Sequence, residues 1–192
     1  MKKMLDSKYR PVQPSPAALI TSADENGKPN VMTAGEVFNV SIGNPVIVGI
    51  AIRKATYTHS LVAKTREYVV NLTTPELAAE LDACGRVSGR DGVNKLEKFG
   101  LTPVAASFVR PPLIDECPVN IECRVRDIQE IGDHDLILGD VLAVHANESV
   151  LDAKGRLDTD KLDVLVYLNC SYWRLGGKIA DQGFSARPRT GR

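Results

Sequence analysis

The chain is short of the residues that most often announce chemistry. Three histidines, one tryptophan and four scattered cysteines stand among 192 residues, and aromatics make up only 5%. Lys+Arg and Asp+Glu both number 24, so the formal net charge is zero. That balance removes the electrostatic footprint of a general nucleic-acid or anionic-membrane binder, so any anion site must be local. A barrel that stacks single-stranded nucleic acid needs aromatics along a basic groove, and both are scarce. No apolar run reaches the length of a membrane span, and Met1 to Pro16 carries charge and proline where a signal peptide has its apolar stretch. A soluble, cytoplasmic protein with no membrane partner is expected. No GxGxxG follows a first strand, which argues against a doubly wound dinucleotide domain.

Cys84, Cys117, Cys123 and Cys170 form no CxxC pair. Cys117 and Cys123 are near enough in sequence to be weighed as metal ligands with His134 or His145, but soft-metal sites favour tighter pairs, and no metal site is assigned. None of the four has both a basic residue and a histidine beside it to activate a thiolate. With no triad or carboxylate pair visible either, no catalytic side chain is assigned.

What the chain does have is strand-forming sequence. Its length suits one domain, 1–192, with residues 1–15 as an extended lead-in through Pro11 and Pro14, and 183–192 as a flexible tail bearing three arginines. Ala17 to Ser22 reads as a strand, Asp24 to Gly27 as a turn, and Pro29 to Thr33 as the return. Phe38 to Ile42 and Tyr68 to Leu72 are further strands. From Asn120, Ile121, Cys123 and Val125 alternate with Glu122, Arg124 and Arg126, which puts the charged set on an exposed face. Gly132 to Asp135 then turns the chain back into LILGDVLAVHA. VLVYL and SYWRL supply the closing strands. Helices are expected over Thr58 to Lys64, from Thr74-Pro75 to a stop at Gly85, and from near Asp91 to Phe99 with Gly100 as the stop. Seven or eight mostly antiparallel strands with short helices inserted in one place predict a mainly β fold, closed into a small antiparallel Greek-key barrel.

The stretch with most chemical content runs from Val46 to Val62, VIVGIAIRKATYTHSLV. Val46 to Ile52 is a β-branched run that suits a strand covered on both faces, with Gly49 marking a bulge or a close approach. Directly after it stand Arg53, Lys54, Thr56, Tyr57 and Thr58, where the free N–H groups of a first helical turn point outward. Two readings are open, a phosphate site or a capped helix with surface charges. Thr33, Ala34 and Gly35 either let a flat ligand lie on the backbone or make a bulge. Ser88, Gly89 and Arg90 either cover a ligand or connect two helices.

The order ALITSADENGKPNVMTAGEVFNVSIGNPVIVGIAIRKATYTHSLV, YVVNL, SGRDGVNKLEKFGL and GDHDLILGDV, spanning about Pro16 to Gly176, resembles the flavin reductase-like family of FMN-binding split barrels, the group that includes flavoredoxin and archaeal ferric reductase. The resemblance implies FMN as cofactor and NADH or NADPH as transient donor. It implies an iron complex, a second flavin or a redox protein as acceptor. Carried over by position, Asn30, Met32, Thr33 and Ala34 look like the segment along the isoalloxazine and ribityl. Ala51, Arg53, Thr56, Tyr57 and Thr58 look like the segment at ribityl and phosphate, and Ser88, Gly89 and Lys95 like a covering loop. Glu36 departs from the pattern, standing where several relatives carry a hydroxyl or aromatic residue. The implied activity is that of a flavin or ferric reductase, or a flavoredoxin-like electron-transfer protein, with a non-enzymatic FMN carrier as the alternative. A homodimer is expected, because VLVYL and LILGDVLAV hold more apolar surface than one sheet face needs.

Overall fold

A computed structural model of the chain describes residues 1–4 and 11–186; residues 5–10 of the expected lead-in and 187–192 of the expected tail lie outside the described residues. The strands are β1 (Ser15–Pro16), β2 (Ala18–Ala23), β3 (Pro29–Ala34), β4 (Val37–Ser41) and β5 (Ile47–Arg53). Helix α1 (Tyr57–Thr65) leads to β6 (Glu67–Leu72), and α2 (Ala78–Arg86) and α3 (Lys95–Lys98) follow it. The remaining strands are β7 (Pro103–Val104), β8 (Leu113–Ile114), β9 (Val119–Ile131), β10 (His134–Ala146), β11 (Leu165–Leu168) and β12 (Ser171–Arg174).

Seven strands form one antiparallel sheet in the order β3-β2-β6-β9-β10-β5-β4. Its hydrogen-bond ladder begins at β3 and ends at β4, so among the described residues the sheet is not the closed barrel that the strand count predicts. Strands β3 and β4 form no ladder with each other that would close it. The two edge strands are consecutive in sequence, joined by Gly35 and Glu36, and the chain leaves one edge to become the other at a shared corner. The expected closing strands β11 and β12 do not complete the sheet; they pair with β1 as a separate three-stranded sheet.

Local chemistry accounts for most elements. Gly27, at φ +83°, takes the left-handed position of the first hairpin turn, and Asp24 Oδ1 accepts from the Asn26 and Lys28 amides. Thr56 caps α1, its hydroxyl accepting from the His59 amide at 3.2 Å. The helix from Thr74-Pro75 opens as a 3-10 turn, Pro75–Leu77, and α2 runs through the expected stop at Gly85 to Arg86. Gly100, at φ +66°, does end the α3 segment.

Two cores share strand β2. Ile20 packs inside the curled sheet with Ile50, Ile52, Val62, Tyr68 and Ile137. Leu19 points the other way, onto Leu81 and Cys84 of α2, Leu96 of α3 and Leu165. All six residues of β2 are therefore buried, and β2 is covered on both faces where β5 is not. On β5 only Val48, Ile50 and Ile52 enter the core, while Ala51 is half-buried and Arg53 exposed. Gly49 marks a close approach: a Cβ there would come within 2.6 Å of the Phe38 ring.

A second departure concerns Glu122, expected on an exposed face and in fact 0% exposed. The loop after β7 folds over it. Its carboxylate accepts from the Ser107 and Phe108 amides at 2.8 and 2.7 Å and from His145 Nε2 at 2.6 Å. Cys117 and Cys123 lie in different cores, and no group of three or more metal-ligating side chains is found among the described residues. No described helix is long and apolar enough to cross a membrane.

Candidate functional site

Where β3 faces β5 across the sheet's open corner, α2 and the β11–β12 hairpin wall off a channel with two lobes. The first lobe has a volume of about 340 Å³ and the second about 300 Å³. Met32, Thr33, Thr56, Gly85 and Arg86 line both, which makes the lobes continuous. The combined space is of the size that small-molecule sites occupy.

The candidates read from sequence converge here with one exception. Ala34, Ala51 and Arg53 line the first lobe. Asn30, Tyr57, Thr58, Ser88, Gly89 and Lys95 line the second. Met32, Thr33 and Thr56 join the two. Lys54 lies in neither: its ammonium is turned back onto Glu130 at 2.8 Å and Asp135 at 3.2 Å. Asp135 also takes His59 Nε2 at 2.8 Å, so Lys54 ties the strand–helix corner to β10 and does not face the channel.

The second lobe gathers N–H donors and cations. Tyr57 and Thr58 open α1, and their N–H groups have no helical acceptor. Asn30 Nδ2 donates to Thr58 Oγ1 at 2.8 Å, fixing two polar side chains in the wall. Lys95 reaches in from α3, only 4% exposed, with the Cys84 carbonyl at 3.0 Å as its partner among the described residues. Burial pushes its pKa down, with the nearby Cys84 opposing. Arg86 stands at the end of α2. The wall of this lobe holds these two cations and no carboxylate. Gly89 is required by close approach, since a Cβ would overlap Asn30 Oδ1.

The first lobe suits a flat group. The backbone of Thr33 to Glu36 forms one side, with Thr33 Oγ1 donating to the Leu81 carbonyl and so pinning α2 to β3. The opposite wall was not legible in the sequence: Asp82, Arg86, Tyr167 and Tyr172 line the lobe, as does His134, which opens β10 and pairs with Arg53. Tyr172 donates its hydroxyl to Asp82 Oδ1 at 3.1 Å, and its ring lies 5.7 Å from that of Tyr167. Burial, then the Asp82 partner, pushes the Tyr172 phenol up to about 12. The spacing of Asp82 and Arg86, one helical turn apart on the polar side of α2, was the one available signal.

A channel with small backbone-lined surfaces at one end and an acid-free cationic lobe at the other fits a flat ring carrying a phosphate tail. Comparison with known proteins agrees. Residues 11–176 match the model of the flavin reductase like domain. A protein of Archaeoglobus fulgidus, described as uncharacterized, is 43% identical over 136 residues, covering 71% of this chain and 75% of its own length. The NADH:riboflavin 5'-phosphate oxidoreductase of Streptomyces pristinaespiralis is 29% identical over 136 residues, 70% of this chain and 72% of its own. Among solved structures, flavoredoxin of Desulfovibrio vulgaris (Miyazaki F) superimposes with a TM-score of 0.88 at 25% identity, over 97% of this chain and 100% of that one. With the fold, the channel and these matches in agreement, the chain belongs to the flavin reductase-like family of flavin-binding oxidoreductases.

Proposed function

We propose that this chain is an FMN-dependent oxidoreductase that holds the phosphate in the second lobe and the isoalloxazine in the first. The observation that carries the choice of FMN is the pairing of Lys95 and Arg86 with the α1 N-terminus in a wall free of carboxylates. Riboflavin would bring those cations no counter-charge. FMN, when bound, supplies hydride and single-electron transfer, so the protein's task is position and electrostatics. Thr56, Tyr57, Thr58 and Ser88 serve as hydroxyl and amide contacts for ribityl and phosphate. Met32 to Ala34 and Ala51 form the ring bed, and Arg53 stands at its rim. The activity named for the Streptomyces relative supports NADH or NADPH as donor. The purified protein should take up FMN with absorption bands near roughly 370 and 450 nm and oxidise NADH or NADPH with an added acceptor. Failure to bind FMN would end this reading, and binding without turnover would make the chain a carrier.

We further propose that the working unit is a homodimer. Leu165 and Val166 of β11 are buried within this chain. On β10 Val144 is exposed, and a further apolar surface lies at the edge strand β4 and the turn after it, where Val40 and Val46 are about half exposed and Ile42 is 87% exposed. Sedimentation of wild type and Ile42→Asp across a dilution series tests this; a wild-type monomer, or a substitution without effect on dimerisation, would refute it.

A further inference from the structure

The corner that carries the N–H donors of the second lobe is held from behind by a buried carboxylate. Asp135, the second residue of β10, is 4% exposed and lines neither lobe. We infer that it is a positioning residue for the phosphate lobe, fixing where the first turn of α1 stands before a ligand arrives, an inference that rests on the flavin reading of the channel. Asp135 Oδ2 accepts from His59 Nε2 at 2.8 Å. His59 belongs to the first turn of α1, and its amide donates to the Thr56 hydroxyl that caps the helix. That hydroxyl donates in turn to the Arg53 carbonyl at 2.9 Å, and the Thr56 amide donates to the same carbonyl at 3.0 Å. Arg53 ends β5 opposite His134, the neighbour of Asp135 on β10. The bonds therefore run in a closed ring, from the end of β5 through the cap and His59 to Asp135, and back across the ladder. Thr56, Tyr57 and Thr58 stand on the arc between Arg53 and His59, and all three line the second lobe.

The oriented bond in this ring is that of His59. Lys54 stands 3.2 Å from Asp135 Oδ1 as a counter-charge, yet Oδ1 has no hydrogen-bond partner among the described residues, and the Lys54 ammonium donates to Glu130. Lys54 thus offsets charge while His59 fixes geometry. A buried ion pair of this kind contributes little net stability, because desolvation offsets much of the Coulombic gain. What it supplies here is a fixed arrangement of the turn. No acidic residue stands in the first turn of α1, so none competes there with an anion for the N–H groups. Donors held in place before binding lose none of the anion's interaction energy to ordering the turn.

The test compares FMN and riboflavin titrations of the full chain in wild type, Asp135→Ala, His59→Ala and Asp135→Asn, with chemical denaturation of each flavin-free protein. Both alanine variants release the first turn and should raise the Kd for FMN about tenfold, with riboflavin moved by about twofold or less. Asp135→Asn keeps an oxygen that accepts from His59 and should hold the FMN-to-riboflavin ratio within about threefold of wild type, although the charge is gone. The phosphorus NMR resonance of bound FMN should shift in the alanine variants and keep its wild-type position in Asp135→Asn. If Asp135→Ala does not fold, His59→Ala removes the same bond from the α1 side and decides alone. Alanine variants that keep the ratio, or that lose both ligands equally in step with stability, would overturn the inference. Loss of the ratio in Asp135→Asn as well would also overturn it, by making the charge and not the bond responsible. A wild type without preference for FMN over riboflavin would overturn it together with the proposed phosphate site, whereas a preference that survives the alanine substitutions would overturn it alone.

Discussion

Replacing Lys95 by methionine separates what a buried ammonium costs the fold from what it gives the site. Lys95 is almost wholly buried, and its partner is a carbonyl, not a carboxylate. A cation placed so is a burden to the flavin-free protein, which is why burial drives its pKa down. Methionine has similar length, carries no charge to desolvate, and gives up one hydrogen bond worth about 0.5–1.5 kcal/mol. Flavin-free stability should therefore hold or rise. Binding should move the other way. A charge-assisted hydrogen bond to phosphate contributes about 1.5–3 kcal/mol, so the Kd for FMN should rise about 10- to 150-fold, while riboflavin, which has no phosphate, should bind as before. The pH dependence follows from the same shift. Between the lowered folded pKa and the ordinary 10.5, the unfolded chain keeps a proton that the folded chain has lost. Flavin-free stability should thus increase as pH rises through that window, and Lys95→Met should flatten the increase. Fluorescence titrations with FMN and riboflavin, together with chemical denaturation of the flavin-free protein, measure all of this. An unchanged ratio of FMN to riboflavin affinity in Lys95→Met would refute the assignment of the second lobe to phosphate.

Lys54→Met should leave that ratio within about threefold and change stability little, because the ammonium is half exposed and already paired with Glu130 and Asp135; a large loss of FMN affinity alone would return Lys54 to the site. Gly89→Ala should weaken FMN and riboflavin together by about tenfold or more, since the added Cβ must turn Asn30 away from Thr58; titration with both ligands checks it, and an effect on FMN alone would contradict the reasoning. Glu122→Gln should destabilise the fold by about 2–4 kcal/mol and lower the thermal midpoint by about 5–15 °C, with FMN affinity unchanged, because an amide cannot accept from two backbone N–H groups and His145 at once. Burial pushes the Glu122 carboxyl up, but the Ser107 amide, His145 and the Phe108 amide outweigh it and hold the group below its ordinary 4.5. Its stabilisation is therefore present above the ordinary value and fades as pH falls through the lowered one, so wild type and variant should converge in acid.

The sequence by itself determined what depends on residues close along the chain. Period-two alternation, the Asp24–Gly27 turn, the Thr56 cap and the Gly100 stop are local energetics, and each element they mark is present. The same locality made the corner after β5 stand out as a candidate anion site, with a plain capped helix as the other reading, because a helix start displays its own N–H groups whatever packs around it. Only the tertiary structure decided which side chains face the channel. Lys54 carries the same charge as Arg53, but Glu130 of β9 and Asp135 of β10 draw it away. Glu122 follows the alternation of β9, yet a loop covers its face and turns a surface carboxylate into a buried anchor. Asp82 is distant in sequence from Tyr167 and Tyr172 and meets them only because the β11–β12 hairpin folds back over α2. Periodicity fixes which face of a strand a residue occupies; what covers that face is set by chain segments far away, and local rules carry no information about them.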